Sequence, residues 1–138
     1  MEIYLDNSAT TKPYQEVVDK MVLALTTQYG NPSSIHKKGI EVEREIKEIR
    51  RNIARSLGAK ENEIYFTSGG TECNNTIIRS VARLNKKTKN HIISTVIEHP
   101  SVLDTLKDLE SEGFEVTYLP VDKDGKISIE DLKNAIKK

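Results

Sequence analysis

The second half of the chain alternates short β-branched segments with amphipathic helical ones, and this alternation limits the fold more than any other feature. The segments that predict strands are residues 63–67, 91–97 and 115–121. A helical segment follows each of them, over about residues 71–84, from Pro100 to Gly113, and from Ser128 into the last residues. Such repetition is typical of α/β proteins with parallel strands joined by crossover helices. The sequence therefore predicts a parallel sheet flanked by helices.

Two amphipathic helices are predicted before this repeat. The first begins near Pro13, which suits a first helical turn, and ends at Gly30. The second runs from a serine cap at position 33 or 34 to about Leu57. The apolar stripe of the first helix is Val17, Met21 and Leu25, widened by Val18 and Val22, and that of the second is Val42, Ile46, Ile49, Ile53 and Leu57. The residues predicted to face inward are Ile77, Val81 and Leu84 on the third helix and Val102, Leu106 and Leu109 on the fourth.

Length and composition exclude several classes of protein. The chain has 138 residues, enough for about one domain. Its 21 basic and 21 acidic residues give no net charge, which argues against nucleic acid or an anionic membrane as a partner. Cys73 is the single cysteine, so no intrachain disulfide is possible. No apolar run is long enough for a membrane helix and no signal peptide is evident, so a cytoplasmic location is expected.

The segment most suggestive of chemistry is residues 66–72 (FTSGGTE), where a predicted strand gives way to a helix. Glycines let a backbone come close to a bound group, and the N–H groups that begin a helix attract anions. The Thr71 hydroxyl adds a further donor, so the segment is a candidate phosphate cradle. It matches neither the P-loop nor the dinucleotide fingerprint. By spacing alone, an ordinary turn with Thr71 as a cap is slightly favoured.

His99 follows the second predicted strand, at the sheet edge where ligands of open α/β sheets collect. An imidazole there can stack on a flat ligand or shuttle a proton. The alternative, favoured on position alone, is a histidine that caps the helix beginning at Pro100. His36 and His91 are interpreted as structural or solvated, and Cys73 as a small buried hydrophobe. No metal site is predicted.

Four motifs in order give the chain a resemblance to a known family. They are residues 5–11 (LDNSATT), residues 30–39 (GNPSSIHKKG), residues 66–75 (FTSGGTECNN) and residues 97–104 (IEHPSVLD). Together they resemble the cysteine desulfurases, the class V group of pyridoxal 5′-phosphate (PLP) enzymes with the aminotransferase fold. A generic flavodoxin-like nucleotide binder would explain the alternation of strands and helices but not the other motifs.

The resemblance implies a fold and a set of roles. The fold is a partial three-layer parallel sheet of the fold type I large domain, with residues 1–12 as an extended small-domain segment and 13–138 as the first part of the PLP-binding domain. The Gly70 backbone and Thr71 would hold the PLP phosphate, and His99 would stack on the ring and assist proton transfer. The reaction takes sulfur from L-cysteine, leaving alanine and a persulfide destined for iron–sulfur clusters or tRNA thiolation.

The resemblance also implies that parts of the site lie outside this chain. The PLP-anchoring lysine, the aspartate that pairs with the pyridine nitrogen, and the mobile cysteine all fall beyond residue 138, and Cys73 is not that cysteine. The predicted strand at residues 63–67 would then lack a neighbour, and unpaired buried backbone groups cost about 1–3 kcal/mol each. We therefore expect a complementary C-terminal chain, self-association or a rearranged sheet. A sulfur-acceptor scaffold is a further expected partner, and a non-catalytic, self-associating or binding module is the alternative function.

Overall fold

The structure is a computed structural model that describes residues 3–137. Its helices are α1 (Gln15–Thr26), α2 (Lys37–Ser56), α3 (Gly70–Asn85), α4 (Pro100–Ser111) and α5 (Ile129–Ala135), and its strands are β1 (His91–Thr95) and β2 (Glu115–Leu119). The chain divides into a first unit that ends at Tyr65 and a second that begins at Phe66. No helix among the described residues is long and apolar enough to span a bilayer.

The first unit consists mainly of α1 and α2. Both helices are shorter than predicted, and α2 begins at the His36 cap, whose Nδ1 accepts the Gly39 N–H at 3.4 Å. The apolar stripe predicted on α1 is exposed along its whole length, and Ile49 of α2 and its C-cap residue Leu57 are exposed as well. Periodicity therefore located the helices correctly but overestimated the burial of their apolar faces within this unit.

The N-terminal segment carries no helix or strand. Met1 and Glu2 of the predicted 1–12 segment lie outside the described residues, and residues 3–6 lead into a turn at residues 7–9. The side chains of Ile3 and Leu5 are exposed. The division of the chain at residue 12 stays a prediction.

The strand predicted over residues 63–67 is wrong. A single 3₁₀ turn, Glu61–Glu63, occupies its start, and residues 64–67 have no regular structure. Arg50 of α2 donates a hydrogen bond to the carbonyl oxygen of Ile64, so a side chain bonds that backbone group. A strand needs a partner strand for its alternate backbone groups. Among residues 3–137, β1 and β2 pair only with each other.

The second unit contains a parallel two-stranded sheet, as the sequence predicted. β1 and β2 pair in register from His91 opposite Glu115 to Thr95 opposite Leu119, and α4 connects them. Both strands are two residues shorter than expected at their carboxyl ends. Val121 instead forms an isolated antiparallel bridge with Ile127, around the turn at Gly125.

The core of the second unit lies between the helices and one face of the sheet. It is formed by Ala82 of α3, Leu106 and Leu109 of α4, and Phe114, with Ile92, Val116 and Tyr118 of the sheet packed against them. The inward face predicted for α4 is thus confirmed. The face predicted for α3 is wrong, since Ile77, Val81 and Leu84 are all more than half exposed. The neighbouring face, which carries Ile78 and Ala82, packs inward instead.

The ends of α4 and α5 follow sequence signals. Gly113 has a φ of 90°, a left-handed conformation that glycine adopts at little cost, and it ends α4 as predicted. The Ser128 hydroxyl accepts the Asp131 N–H at 3.1 Å and so caps α5. The last helix ends at Ala135, earlier than expected, and Lys138 lies outside the described residues.

An ion-pair cluster joins α3 to α4 along their exposed sides. The Arg83 guanidinium donates two hydrogen bonds to the Glu112 carboxylate, at 2.6 and 3.1 Å. Arg79 pairs with Asp108 at 2.6 Å, and the Lys86 ammonium reaches the Glu112 carbonyl at 2.5 Å. The hydrogen bonds from Arg83 hold the pKa of Glu112 below its ordinary value of 4.5. Ionised Glu112 is therefore part of the folded arrangement.

This shift predicts an acid-dependent contribution to stability. A carboxylate whose pKa is lowered by folding stabilises the fold above its ordinary pKa, and that stability is lost as the pH falls through the folded pKa. Glu112→Gln should therefore lower Tm at about pH 7, and the gap from the native chain should shrink as the pH falls below 4.5 and through the lower pKa of the folded state. Thermal unfolding followed by circular dichroism measures it. Glu48→Gln, at an exposed carboxylate of α2, is the control, and a gap unaffected by acid would contradict the assignment.

Candidate functional site

The first turn of α3 presents backbone donors at the predicted phosphate cradle. Gly69 is the N-cap residue and supplies no capping side chain. The first helical hydrogen bond runs from the Cys73 N–H to the Gly69 carbonyl at 3.1 Å, so the N–H groups of residues 70–72 precede the helical ladder. Such groups, at the positive end of the helix dipole, favour an anion. Thr71 places a hydroxyl in the same turn.

The Glu72 carboxylate is hydrogen-bonded to Ser68, immediately before the start of α3. Its Oε2 accepts the Ser68 hydroxyl and the Ser68 backbone N–H, each at 2.6 Å. These two hydrogen bonds lower the pKa of Glu72 below 4.5. The carboxylate therefore orders the turn before α3, and its charge is already bonded within that turn.

The two glycines of the cradle, Gly69 and Gly70, lie in unstrained backbone with open space beside them. Neither lies in the left-handed region, and Gly69, with a φ of 168°, has an extended backbone that any residue can adopt. A Cβ placed on Gly69 or Gly70 would meet no atom within 4 Å. No contact within the described residues would therefore exclude a larger side chain at either position. The space beside the backbone is free for a bound group.

His99 is the N-cap residue of α4, so the structural role considered for it from the sequence is present. Its Nδ1 accepts the Ser101 backbone N–H at 3.1 Å and lies 2.9 Å from the Ser101 hydroxyl. The residue is nevertheless exposed, because only this one edge of the ring is engaged. Capping and ligand contact use different parts of the imidazole and are compatible.

Thr71 and His99 border one cleft that runs between α3 and α4, from their first turns to Arg79 and Asp108. The cleft has a volume of about 320 Å³ and is otherwise lined by Asn75, Arg79, Pro100, Ser101, Asp104, Thr105 and Asp108. Gly70 immediately precedes Thr71 at the start of α3. The structure therefore brings together the two features on which the sequence argument depended, the glycine-containing turn and the histidine.

Hydrogen bonds between polar side chains connect the first turns of α3 and α4. No role was assigned to these residues from the sequence. The Asn75 amide donates to the carbonyl oxygens of Thr71, at 2.9 Å, and Ser101, at 3.4 Å. The hydroxyl of Thr105, a residue only 1% exposed, lies 2.8 Å from both Asn75 Oδ1 and the Ser101 carbonyl. Asn74 reaches the Ser101 hydroxyl at 2.9 Å. The only sequence signal for this junction is the Asn-Asn pair after Thr71.

The other candidates have local explanations. His36 caps α2, and His91 Nε2 lies 2.8 Å from the Thr117 hydroxyl across the strands. Cys73 is half-buried in α3. In the motif at residues 30–39, a Cβ on Gly39 would lie 2.3 Å from the Ser34 carbonyl oxygen, so close backbone packing requires that glycine.

Comparison with known proteins identifies the family. The family model for aminotransferase class-V matches residues 3–138, almost the whole sequence. The chain belongs to the aminotransferase class-V family. Enzymes of this family depend on PLP. The predicted α/β class and the parallel pairing are confirmed by this family membership and by the β1–β2 sheet.

Particular class-V relatives are similar over nearly all of this chain. A cysteine desulfurase IscS from Methanosarcina thermophila is 51% identical over 135 residues, which are 98% of this chain and 33% of that protein. A solved NifS-like protein superposes with a TM-score of 0.94 at 40% identity, covering all of this chain and 38% of the other. A structure of SspA in complex with cysteine gives 0.85 at 38% identity, over 94% and 38% of the two chains. This chain spans about a third of the length of the curated relatives it matches.

Proposed function

We propose that this chain is the N-terminal part of a cysteine desulfurase, which removes sulfur from L-cysteine and leaves alanine and an enzyme-bound persulfide. The observation that carries the proposal is the placing of Thr71 and His99 on one cleft, in a chain of the class-V family. The names of the relatives and the cysteine bound in the SspA structure support this substrate.

The residues present fit PLP at this cleft. Phosphate requires several donors and room for close approach, and the start of α3 offers free N–H groups, the Thr71 hydroxyl and open space beside Gly69 and Gly70. A flat aromatic ring requires an exposed partner, and His99 provides one on the same cleft. When bound, PLP supplies an electron sink for breaking bonds of the amino-acid substrate.

Each of the site residues in this chain then has a defined role. The Gly70 backbone and the Thr71 hydroxyl hold the phosphate, and the positive end of the α3 dipole adds to its binding. The imidazole of His99 packs on the ring and exchanges protons at Nε2, because Nδ1 is occupied by the α4 cap. The hydrogen bonds at Asn75 and Thr105 keep the two helix starts at a fixed separation.

The remaining site residues would belong to the part of the relatives' sequences that this chain does not match. The lysine that anchors PLP, the aspartate that pairs with its pyridine nitrogen and the cysteine that carries the persulfide would come from a complementary C-terminal polypeptide. Self-association is the alternative means of covering the apolar faces of α1 and α3. A scaffold protein that accepts the sulfur is a further proposed partner.

A chimera tests the function directly. Residues 3–137 replace the matching third of the Methanosarcina thermophila cysteine desulfurase, to which the chain is 51% identical. We expect the chimera to acquire the visible absorbance of protein-bound PLP and to release sulfide and alanine from L-cysteine in the presence of a thiol. The 138-residue chain alone, mixed with PLP, should give neither signal at a specific site.

A negative result would be decisive if the chimera folds. A chimera with native-like circular dichroism that binds no PLP would overturn the proposal. Should the lone chain also sediment as a defined oligomer, the non-catalytic self-associating module would then be the better explanation of the same sequence.

A further inference from the structure

The Nδ1 atom of His99 lies at the end of a hydrogen-bond chain that starts on the neighbouring helix. The Asn74 amide nitrogen of α3 lies 2.9 Å from the Ser101 hydroxyl oxygen, which in turn lies 2.9 Å from His99 Nδ1. The backbone N–H of Ser101 reaches the same Nδ1 at 3.1 Å. Ser101 is 8% exposed, so water has little access to the middle of this series of hydrogen bonds.

The direction of the protons follows from the chemistry of each group. An amide NH₂ and a backbone N–H can only donate. The Ser101 backbone N–H donates to His99 Nδ1, so Nδ1 is an acceptor and does not donate to the serine. The Ser101 oxygen accepts from Asn74, and its own proton is therefore directed at Nδ1. Nδ1 then accepts from both the hydroxyl and the backbone of Ser101. A neutral imidazole that accepts at Nδ1 carries its proton on Nε2.

The His36 cap shows that this arrangement is more than helix capping. Its Nδ1 also accepts a backbone N–H, at 3.4 Å from Gly39, yet no side-chain hydroxyl reaches it among the described residues. At His99, a side chain from a second helix adds to the cap. The surrounding hydrogen bonds of Asn75 and Thr105 hold α3 and α4 in the position that permits it.

We infer that Asn74 and Ser101 are positioning residues that fix neutral His99 as its Nε2–H tautomer, with Nδ1 bonded at the junction of α3 and α4. Within residues 3–137, Nε2 has no hydrogen-bond partner and stays available to a ligand. The charged side chains that share the cleft are Arg79, Asp104 and Asp108, and none of them bonds the imidazole. The value of this tautomer for catalysis rests on the proposed function, whereas the tautomer itself does not.

The test is a long-range ¹H–¹⁵N spectrum of the histidine rings in the full chain, at about pH 8.5, where an ordinary imidazole is neutral. We expect the Nε2–H form to dominate for His99. Asn74→Asp should raise the ratio of Nδ1–H to Nε2–H by about 2- to 10-fold, since an aspartate takes the serine proton and turns the hydroxyl oxygen toward Nδ1. Asn74→Ala, which only removes the donor, should shift the ratio less.

Two further variants keep the inference falsifiable if the aspartate variant does not fold. Ser101→Thr retains the hydroxyl and should keep the native tautomer, whereas Ser101→Ala should increase the minor form. The His36 and His91 signals serve as internal references for folding. A native His99 without Nε2–H preference, or a folded Asn74→Asp chain with an unchanged ratio, would overturn the inference. No PLP is needed, so failure here is distinguishable from an inactive chimera.

Discussion

His99→Ala in the chimera is expected to slow sulfide release from L-cysteine by about 100-fold or more, the scale of a lost general acid–base group. The substitution removes both the ring that packs on PLP and the nitrogen that exchanges protons. Turnover under saturating L-cysteine measures it, with the absorbance of bound PLP recorded on the same sample. The absorbance should weaken or shift as well, because the stacking partner is gone.

His36→Ala is the matched control for this experiment. It also removes a histidine N-cap whose Nδ1 accepts a backbone N–H, but at the start of α2. We expect its activity to stay within about twofold of the unsubstituted chimera. Losing the cap lowers the stability by about 1 kcal/mol, and His36 is not proposed to contact PLP or the substrate. Equal losses from the two substitutions would show that His99 acts only as a cap.

Leu109→Ala is expected to destabilise the second unit by about 2–5 kcal/mol. Leu109 is 0% exposed and lies in the core with Leu106, Phe114 and Ala82, so its loss leaves a cavity among buried side chains. Denaturant unfolding of the chain measures the change. Such a loss is a large part of the stability of a small domain, which is about 5–15 kcal/mol.

Leu84→Ala makes the same chemical change at an exposed position of α3. Leu84 is 85% exposed, and the expected effect is within about 0.5 kcal/mol. If Leu84→Ala proves as costly as Leu109→Ala, this side of α3 is covered in solution by another chain. If Leu109→Ala is silent, the packing of α4 against the sheet is contradicted.

The sequence predicted those elements whose determinants are local. The inward face of α4 was correct because Val102, Leu106 and Leu109 form its single apolar stripe and meet a sheet supplied by the same unit. α3 carries apolar residues on two adjoining faces, and periodicity does not say which one finds a partner. The strand expected at residues 63–67 failed for a related reason, since a strand depends on a neighbour that its own residues do not encode.

The same limit applies to the candidate site. Thr71 and His99 were assigned to one region on the expectation that each follows a parallel strand. His99 does follow β1, but residues 64–67 before Thr71 form no strand, and the shared cleft depends instead on the packing of α3 against α4. The hydrogen bonds of Asn74 and Asn75 could not be predicted, because they depend on how far α3 is shifted along α4. Their side chains reach residues 26–30 positions away in sequence, and only the packed helices show which ones.

The helix α4 has both its buried core residues and the residues proposed to act at the cleft on a single segment. Leu106 and Leu109 anchor it in the interior, and about one to three turns earlier lie Ser101 and the N-cap His99 at the cleft. A core substitution that shifts α4 would therefore also displace His99 at the cleft, and under the proposed function it would lower turnover. A random mutagenesis screen for impaired turnover would therefore recover interior positions of α4 alongside the imidazole, and compensating changes would arise in α3.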